Sequence, residues 1–139
     1  MAIETATFMG NNTALMADRQ SRQPAPVYRY RDDFRSNVRI KGTDWTLRAC
    51  HASDIAIAFY NYEMMDLQGN GPGLAATSRA MSGYFSSFAR SAAPTAEGQP
   101  DWPRYEAATR RVLLLNSRCR IAGNPNGAEL ALWRSLGWT

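Results

Sequence analysis

The chain of 139 residues contains very little histidine, lysine or cysteine. His51 is its only histidine, Lys41 its only lysine, and Cys50 and Cys119 its only cysteines. Because the two cysteines lack a Cys-x-x-Cys spacing, we expect two separate, reduced, half-buried thiols rather than a disulfide. We therefore expect no metal ion and no cofactor. The one zinc site that the composition allows has an atypical ligand spacing, and it would use Cys50, His51, Cys119 and Asp54.

Long apolar runs are also missing. No run approaches the roughly 18 consecutive apolar residues of a transmembrane helix, so we expect no membrane span. The first twenty residues contain Glu4 and Asp18 and no apolar core segment, so they show no signal peptide, and the cytoplasm is favoured as the location. With 45% hydrophobic residues and 5 Phe, 6 Tyr and 4 Trp, the composition is that of one globular domain.

The net charge of +4 comes from arginine. Nucleic-acid-binding proteins use such basic surfaces to neutralise phosphates. Here acidic residues are interleaved with the arginines, which is more typical of an ion-paired surface, so we expect no nucleic-acid partner. A non-catalytic α/β binding module, with an arginine-rich surface that contacts an acidic partner, stays open as the alternative to an enzyme. The arginine clusters are Arg19/Arg22, Arg29/Arg31/Arg35/Arg39 and Arg110/Arg111/Arg118/Arg120, and the interleaved acids are Asp18, Asp32, Asp33, Asp101 and Glu106.

The first half of the chain has one helical and one extended pattern. Residues 3–21 predict a helix with Met16 among its apolar residues, and the prolines that follow end it. The alternation of apolar and polar side chains in 27–31 predicts a strand. Residues 32–50 are polar and predict a loop, in which Trp45 and Leu47 are apolar anchors.

The second half begins with the glycine-rich segment 69–73, which predicts a turn. It is not a phosphate loop, because no strand leads directly into it and no Lys-Ser/Thr follows. A long helix is predicted for 74–93, then two short strands, 112–115 and 118–122, and a last helix, 128–136. This order of elements is typical of an α/β protein. The long helix is expected to pack on a core, through Leu74, Met81, Phe85, Phe88 and Ala92.

The segment around His51 is the strongest indication of chemistry. His51 lies after a polar loop and before the apolar run 55–60, a position that suits a general base supported by packed elements on both sides. The stretch 48–55 resembles the catalytic-histidine segment of the type-B carboxylesterases. This α/β-hydrolase family includes bacterial para-nitrobenzyl esterases and the cholinesterases.

Three further segments carry the same resemblance in the same order and spacing. Residues 26–30 resemble the late core strand of the family's sheet, and 88–90 resemble the end of the long helix that follows the histidine. Residues 102–105 match a Trp-Pro-x-Tyr turn that precedes the last strands. The resemblance extends from about Thr7 to Trp133.

The resemblance implies the C-terminal part of an α/β-hydrolase fold, made of late core strands and packing helices. Residues 1–139 would form one segment of a carboxylesterase type-B domain, incomplete by itself. His51 would be the catalytic histidine of a serine esterase that acts on small-molecule carboxylic esters. Asp54 matches the family's supporting acid, although an ordinary acid at a helix N-terminus is an equal alternative.

In this family the other catalytic parts precede the histidine along the chain. They are a Ser in a Gly-x-Ser-x-Gly elbow, an acid and a glycine-rich oxyanion loop. The sequence contains neither that elbow nor a Gly-Gly-Gly run. We therefore expect the chain to need the upstream part of the hydrolase domain as its partner and to be inactive alone. A small self-sufficient hydrolase, in which His51 activates Cys119 or a local serine, is the remaining enzyme hypothesis.

Three positions depart from the family pattern. The family more often has Gly directly after the histidine, where this chain has Ala52, and it usually has Pro where Ala56 stands. It often has Gly before Asn61, where this chain has Tyr60. These departures concern the geometry of the loops beside His51.

Overall fold

The computed structural model describes residues 9–137. They divide into two compact units, of which the first contains 9–29, 103–112 and 122–137 and the second contains 30–102 and 113–121. Two short 3₁₀ turns, Tyr62–Met64 and Asp66–Gln68, lie in the second unit. In chain order the helices and strands are α1 (Asn11–Gln20), β1 (Tyr30–Asp32), β2 (Ser36–Arg39), β3 (Thr46–Arg48), α2 (Ser53–Ala58), α3 (Leu74–Ser91), β4 (Arg111–Leu115), β5 (Arg120–Gly123) and α4 (Gly127–Ser135).

A three-stranded sheet has the order β1-β4-β5. Strands β1 and β4 are parallel, with Tyr30 opposite Leu113 and Asp32 opposite Leu115. Four consecutive residues of β4 are buried, as expected of a central strand covered on both faces. The strands predicted for 27–31, 112–115 and 118–122 are thus confirmed, with β1 beginning three residues later than predicted. The mixed helix and sheet arrangement confirms the α/β class.

The predicted loop 32–50 is wrong, because it contains an antiparallel hairpin. Strands β2 and β3 pair with Ser36 opposite Arg48 and Arg39 opposite Thr46. Neither strand has the apolar alternation that marks a strand in a sequence, since most of their side chains are polar and partly exposed. Trp45 is 64% exposed beside the hairpin end, so it is not an apolar anchor.

Helix α3 has the predicted length, but its buried face differs from the predicted one. Phe88 is 45% exposed, whereas Ser78 and Tyr84 are fully buried. The Ser78 hydroxyl donates to the Ile57 carbonyl of α2 at 2.7 Å. A small hydroxyl that bonds to a neighbouring backbone can be buried at little cost. The spacing of apolar residues alone therefore predicted part of the buried face of α3 wrongly.

The glycine-rich segment 69–73 forms turns, as predicted. Gly69 has φ +66°, and a Cβ at this position would collide with Oδ1 of Asn37. The Asn37 amide donates to Asn70 Oδ1 at 2.9 Å, and Asn70 N donates to Asn37 Oδ1 at 3.2 Å. The glycine therefore permits a close approach between this turn and strand β2, which is a structural role.

The first unit is organised around a buried carboxylate. Asp18 of α1 is 7% exposed, and it accepts hydrogen bonds from Tyr105, Arg110 and Arg134. The predicted helix 3–21 corresponds to α1 in its described part, and residues 3–8 lie outside the described residues. Met16 is 70% exposed and is not a core residue, because the helix turns the face that contains Asp18 inward. The last helix, α4, is confirmed within one residue of its predicted ends.

Candidate active site

His51 lies in a tight turn, Cys50–Ser53, which we call the histidine turn. The Cys50 carbonyl accepts hydrogen bonds from the Ser53 backbone N–H at 3.2 Å and from the Ser53 hydroxyl at 2.7 Å. Ser53 is buried and begins α2, whereas His51 is exposed. The imidazole of His51 therefore lies at the surface, on a turn whose backbone is held by the hydrogen bonds between Ser53 and Cys50.

Ala52 has a left-handed backbone conformation, with φ +66° and ψ 0°. These angles suit the third residue of a type II turn, a position that strongly favours glycine because a Cβ is strained there. Tyr60, at φ +56°, is likewise left-handed. These are the two positions at which the resembled family often has glycine. The backbone thus keeps the geometry that glycine would favour, although Ala and Tyr occupy it.

We expect Ala52→Gly to stabilise the protein by up to about 1 kcal/mol, because relief of left-handed strain exceeds the added entropy of the unfolded chain. Urea unfolding measures the change. The matched control is Ala58→Gly at the last residue of α2, where glycine brings only its lower helix propensity and is expected to destabilise by up to about 1 kcal/mol. If both substitutions lower the free energy of unfolding equally, Ala52 is not strained.

Two residues of β1 bond to the start of α2. The Tyr30 hydroxyl donates to Asp54 Oδ2 at 2.9 Å, and the Ser53 hydroxyl is 3.3 Å from Asp32 Oδ2. Asp32 Oδ1 also accepts the Phe34 N–H at 2.9 Å. The histidine turn is thereby connected to the carboxyl end of a parallel strand, the edge at which α/β proteins commonly bind ligands.

The Asp32 carboxyl beside the turn has an environment that disfavours its charge. Burial raises the pKa of Asp32 to about 6, and repulsion from Asp54 and Asp33 adds to this effect, against the hydrogen bonds from Phe34 and Ser53. Burial, together with the nearby Asp54 carboxylate, also raises the pKa of Tyr30. Tyr30 therefore remains a protonated donor at neutral pH.

The structure does not bring Asp54 into a hydrogen bond or ion pair with His51. Within residues 9–137 Asp54 accepts a hydrogen bond from the Tyr30 hydroxyl, and the imidazole has no hydrogen-bond or ion-pair partner. Gln68, fully buried in the second 3₁₀ turn, donates to the Ser53 carbonyl at 2.6 Å. Sequence reasoning missed Tyr30, Asp32, Ser53 and Gln68 as neighbours of the turn. The available signal for Tyr30 and Asp32 was their alternate spacing at the end of the predicted strand 27–31 and directly after it.

The other candidate nucleophiles and ligands are separated. The Cys119 thiol contacts the Asn116 carbonyl at 3.3 Å, and burial raises its pKa. Cys50 is also a free thiol. In the part of the chain that the structure describes, no three His, Cys, Asp or Glu side chains are grouped so that they could hold a metal ion. No helix within residues 9–137 is long and apolar enough to cross a membrane.

Several arginines are paired with acids. Arg110 and Arg134 bond to Asp18, and Arg31 bonds to Asp33 at 2.6 Å. Such pairing lowers the charge that the arginine clusters offer to an acidic partner.

The fold matches solved esterases over most of this chain. A carboxylesterase of Geobacillus stearothermophilus is 29% identical in its structure at pH 6.2, with a TM-score of 0.66, covering 84% of this chain and 24% of that chain. An esterase from Clostridium hathewayi, described as hydrolysing aliphatic aromatic polyesters, is 20% identical with a TM-score of 0.77, covering 92% and 24%. A PNB esterase is 23% identical with a TM-score of 0.74, covering 92% and 25%. The architecture is therefore that of an α/β-hydrolase esterase, of which this chain spans about a quarter of the length.

The sequence profile of the carboxylesterase family matches residues 1–133. The chain belongs to the carboxylesterase family. No curated protein matches it.

Proposed function

We propose that this chain supplies the catalytic histidine, His51, of a serine hydrolase that cleaves small-molecule carboxylic esters. The observation that carries the proposal is an exposed imidazole on a hydrogen-bonded turn, in a chain of the carboxylesterase family. That turn contacts Asp32 at the carboxyl end of β1. The serine nucleophile, the triad acid and the oxyanion loop come from residues outside this sequence, in the preceding part of the hydrolase domain. Residues 1–139 are then the C-terminal segment of one domain.

The reaction has two halves, acylation of the serine and hydrolysis of the acyl-enzyme, and in each half the imidazole first accepts a proton and then donates it. It takes the proton from the serine hydroxyl as the oxygen attacks the ester carbonyl, and it returns that proton to the leaving alcohol. It then takes a proton from water, which attacks the acyl-enzyme, and gives it back to the serine. A histidine suits this work because its ordinary pKa of about 6.5 lies near neutral pH.

Local contacts support a nucleophile outside this sequence. The Ser53 hydroxyl lies next to the turn, but it is buried and donates to the Cys50 carbonyl rather than to the imidazole. The raised pKa of Cys119 keeps this thiol protonated at neutral pH, and a thiol is a much weaker nucleophile than a thiolate. Asp54, bonded to Tyr30, has a supporting role in this proposal.

The test uses a fluorophosphonate probe, which forms a bond with an activated serine. The chain is labelled alone and after addition of the part of the Geobacillus stearothermophilus carboxylesterase that precedes the matched quarter. We expect no labelling of the chain alone, labelling of the combined protein, and loss of that labelling with His51→Gln. Cys50→Ala is the matched control from the same turn, because only the backbone of Cys50 bonds to Ser53.

Three results would contradict the proposal. Labelling of the chain alone that His51→Gln abolishes would mean that a complete site lies within these residues. Labelling of the combined protein that His51→Gln leaves unchanged would remove His51 from the reaction. A combined protein that stays unlabelled, although both parts are folded and associated, would show that this chain does not complete such a site.

A further inference from the structure

The histidine turn has little stability of its own. Helix α2 has only six residues, which is too short to be stable without packing contacts. Ala52 has a strained left-handed conformation in the turn. The position of His51 is therefore decided by bonds from other elements to the first residues of α2.

Strand β1 provides two of these bonds from alternate positions. Tyr30 and Asp32 are two residues apart, so their side chains lie on the same face of the strand. Their partners, Asp54 and Ser53, are consecutive residues in the first turn of α2. Arg31, between them, points the other way and bonds to Asp33.

The strand itself is firmly placed. Its three residues pair with Leu113, Leu114 and Leu115 of β4, which are between 0% and 2% exposed. The Tyr30 ring packs edge-on against Phe85 and Trp102, with ring centroids 5.6 and 6.0 Å away. The donor and acceptor that β1 offers to α2 are therefore fixed by the core of the second unit.

We propose that Tyr30 and Asp32 are positioning residues for His51, acting through Asp54 and Ser53. This assignment rests on the proposed function of His51 and adds the residues that orient it. Asp54 accepts from Tyr30, and the Ser53 hydroxyl lies against Asp32 and donates to the Cys50 carbonyl, so the strand contacts the end of the histidine turn to which Cys50 is bonded. Loss of either bond leaves a short, strained segment to orient the imidazole.

The Tyr30→Phe variant removes the hydroxyl and keeps the ring that packs on Phe85 and Trp102. Tyr84→Phe is its matched control, since the Tyr84 ring also packs on Trp102 and its hydroxyl donates to the Pro100 carbonyl, away from the turn. For Asp32, Asp32→Ala removes both contacts of the carboxylate. Asp32→Asn keeps an oxygen for the Phe34 N–H and places its amide NH₂ where it can donate to the Ser53 hydroxyl oxygen.

The first measurement needs no activity. The chain has one histidine, so the carbon-bound ring protons of His51 give a single set of NMR signals in the full chain. We expect Tyr30→Phe and Asp32→Ala to shift these signals and to speed exchange of the Ser53 amide by about tenfold. Tyr84→Phe and Asp32→Asn are expected to leave the ring signals in place.

The second measurement is ester hydrolysis by the combined protein described above, with a chromogenic para-nitrophenyl ester. We expect Tyr30→Phe and Asp32→Ala to lower kcat about tenfold or more with KM unchanged, because a misplaced base affects the chemical step rather than binding. Asp32→Asn is expected to recover most of kcat. A residue that only stabilised the fold would not lower kcat while leaving KM unchanged, and Asp32→Asn would not recover kcat.

The outcomes separate the two proposals. If His51→Gln abolishes hydrolysis while Tyr30→Phe and Asp32→Ala change neither the ring signals nor kcat, the positioning assignment is wrong and the proposed function stands. If the ring signals shift in these variants but hydrolysis does not depend on His51, the proposed function is wrong. Equal effects of Tyr30→Phe and Tyr84→Phe on kcat would also overturn the positioning assignment.

Discussion

Replacing Asp18 by alanine is expected to destabilise the protein by about 3–5 kcal/mol, the usual result of removing one partner from a buried ion pair. Asp18 Oδ2 is 2.7 Å from Arg110 Nη2 and 3.2 Å from Arg134 Nη2, and Oδ1 accepts from the Tyr105 hydroxyl at 2.7 Å. The Arg110 side chain is only 18% exposed, so its charge cannot simply return to water. The substitution would leave two cations and a hydroxyl without their common acceptor.

The matched control is Asp44→Ala. Asp44 pairs with Arg39 at 3.1 Å, but both side chains are largely exposed, at 100% and 72%. An exposed pair contributes about 0–1 kcal/mol, so this variant should unfold at nearly the same urea concentration as the parent. A loss below about 1 kcal/mol for Asp18→Ala would contradict the central role of this carboxylate in the first unit.

The pH dependence of Asp18 follows from its environment. Burial opposes ionisation of this carboxyl, but the hydrogen bonds from Arg110 and Tyr105 and the charges of Arg110 and Arg134 lower its pKa below the usual value of 3.8. A lowered pKa means that this stabilisation is present above pH 3.8 and is lost as the pH falls below it. Its contribution is thus nearly constant from about pH 5 upward.

The stability of the protein is expected to fall between about pH 4 and pH 6 because of Asp32. Burial raises the pKa of Asp32 to about 6, from 3.8 in a solvated carboxyl. The folded state therefore binds a proton that the unfolded state has already released, so the free energy of unfolding declines as the pH rises through this window. The decline attributable to Asp32 is up to about 3 kcal/mol, since each pKa unit corresponds to about 1.4 kcal/mol.

Asp32→Asn isolates this effect. The amide keeps an oxygen for the Phe34 N–H, and it has no charge to repel Asp54 and Asp33. Urea unfolding of parent and variant from pH 4 to pH 8 should give curves that diverge as the pH rises and stay apart above pH 7, with the variant more stable. Other titrating groups cancel in the difference. Parallel curves over the whole range would show that Asp32 titrates normally.

The predictions for Asp18 and Asp32 concern two carboxylates that have similar surroundings in the sequence. Asp18 and Asp32 both lie near arginines in the sequence, and both suggested a solvated, ion-paired surface. Asp18 is surrounded by cations, whereas the neighbours that act on Asp32 are two acids, a backbone N–H and a serine. Whether the pKa of a buried carboxyl is lowered by cations or raised by burial and acids depends on contacts that the local sequence does not display.

The candidate site was predicted in part. The residues around His51 carried the resemblance to the carboxylesterases, and the family match and the esterase folds confirm that resemblance. The roles of His51 and Asp54 in catalysis stay predictions. The bond between Tyr30 and Asp54 joins residues 24 positions apart, and no periodicity in either segment indicates such a pair.

The sequence by itself determined the α/β class, strand β4, the length of α3 and the family. These features follow from apolar periodicity, from glycine and proline at the ends of elements, and from motifs in a fixed order. Only the tertiary structure decided the β2–β3 hairpin, the inward face of α3, the Asp18 cluster and the bonds from β1 to the histidine turn. Each of these depends on polar side chains whose burial is permitted by partners distant in the chain. A sequence shows polarity directly, but it shows the compensating partner only once the fold has brought the two together.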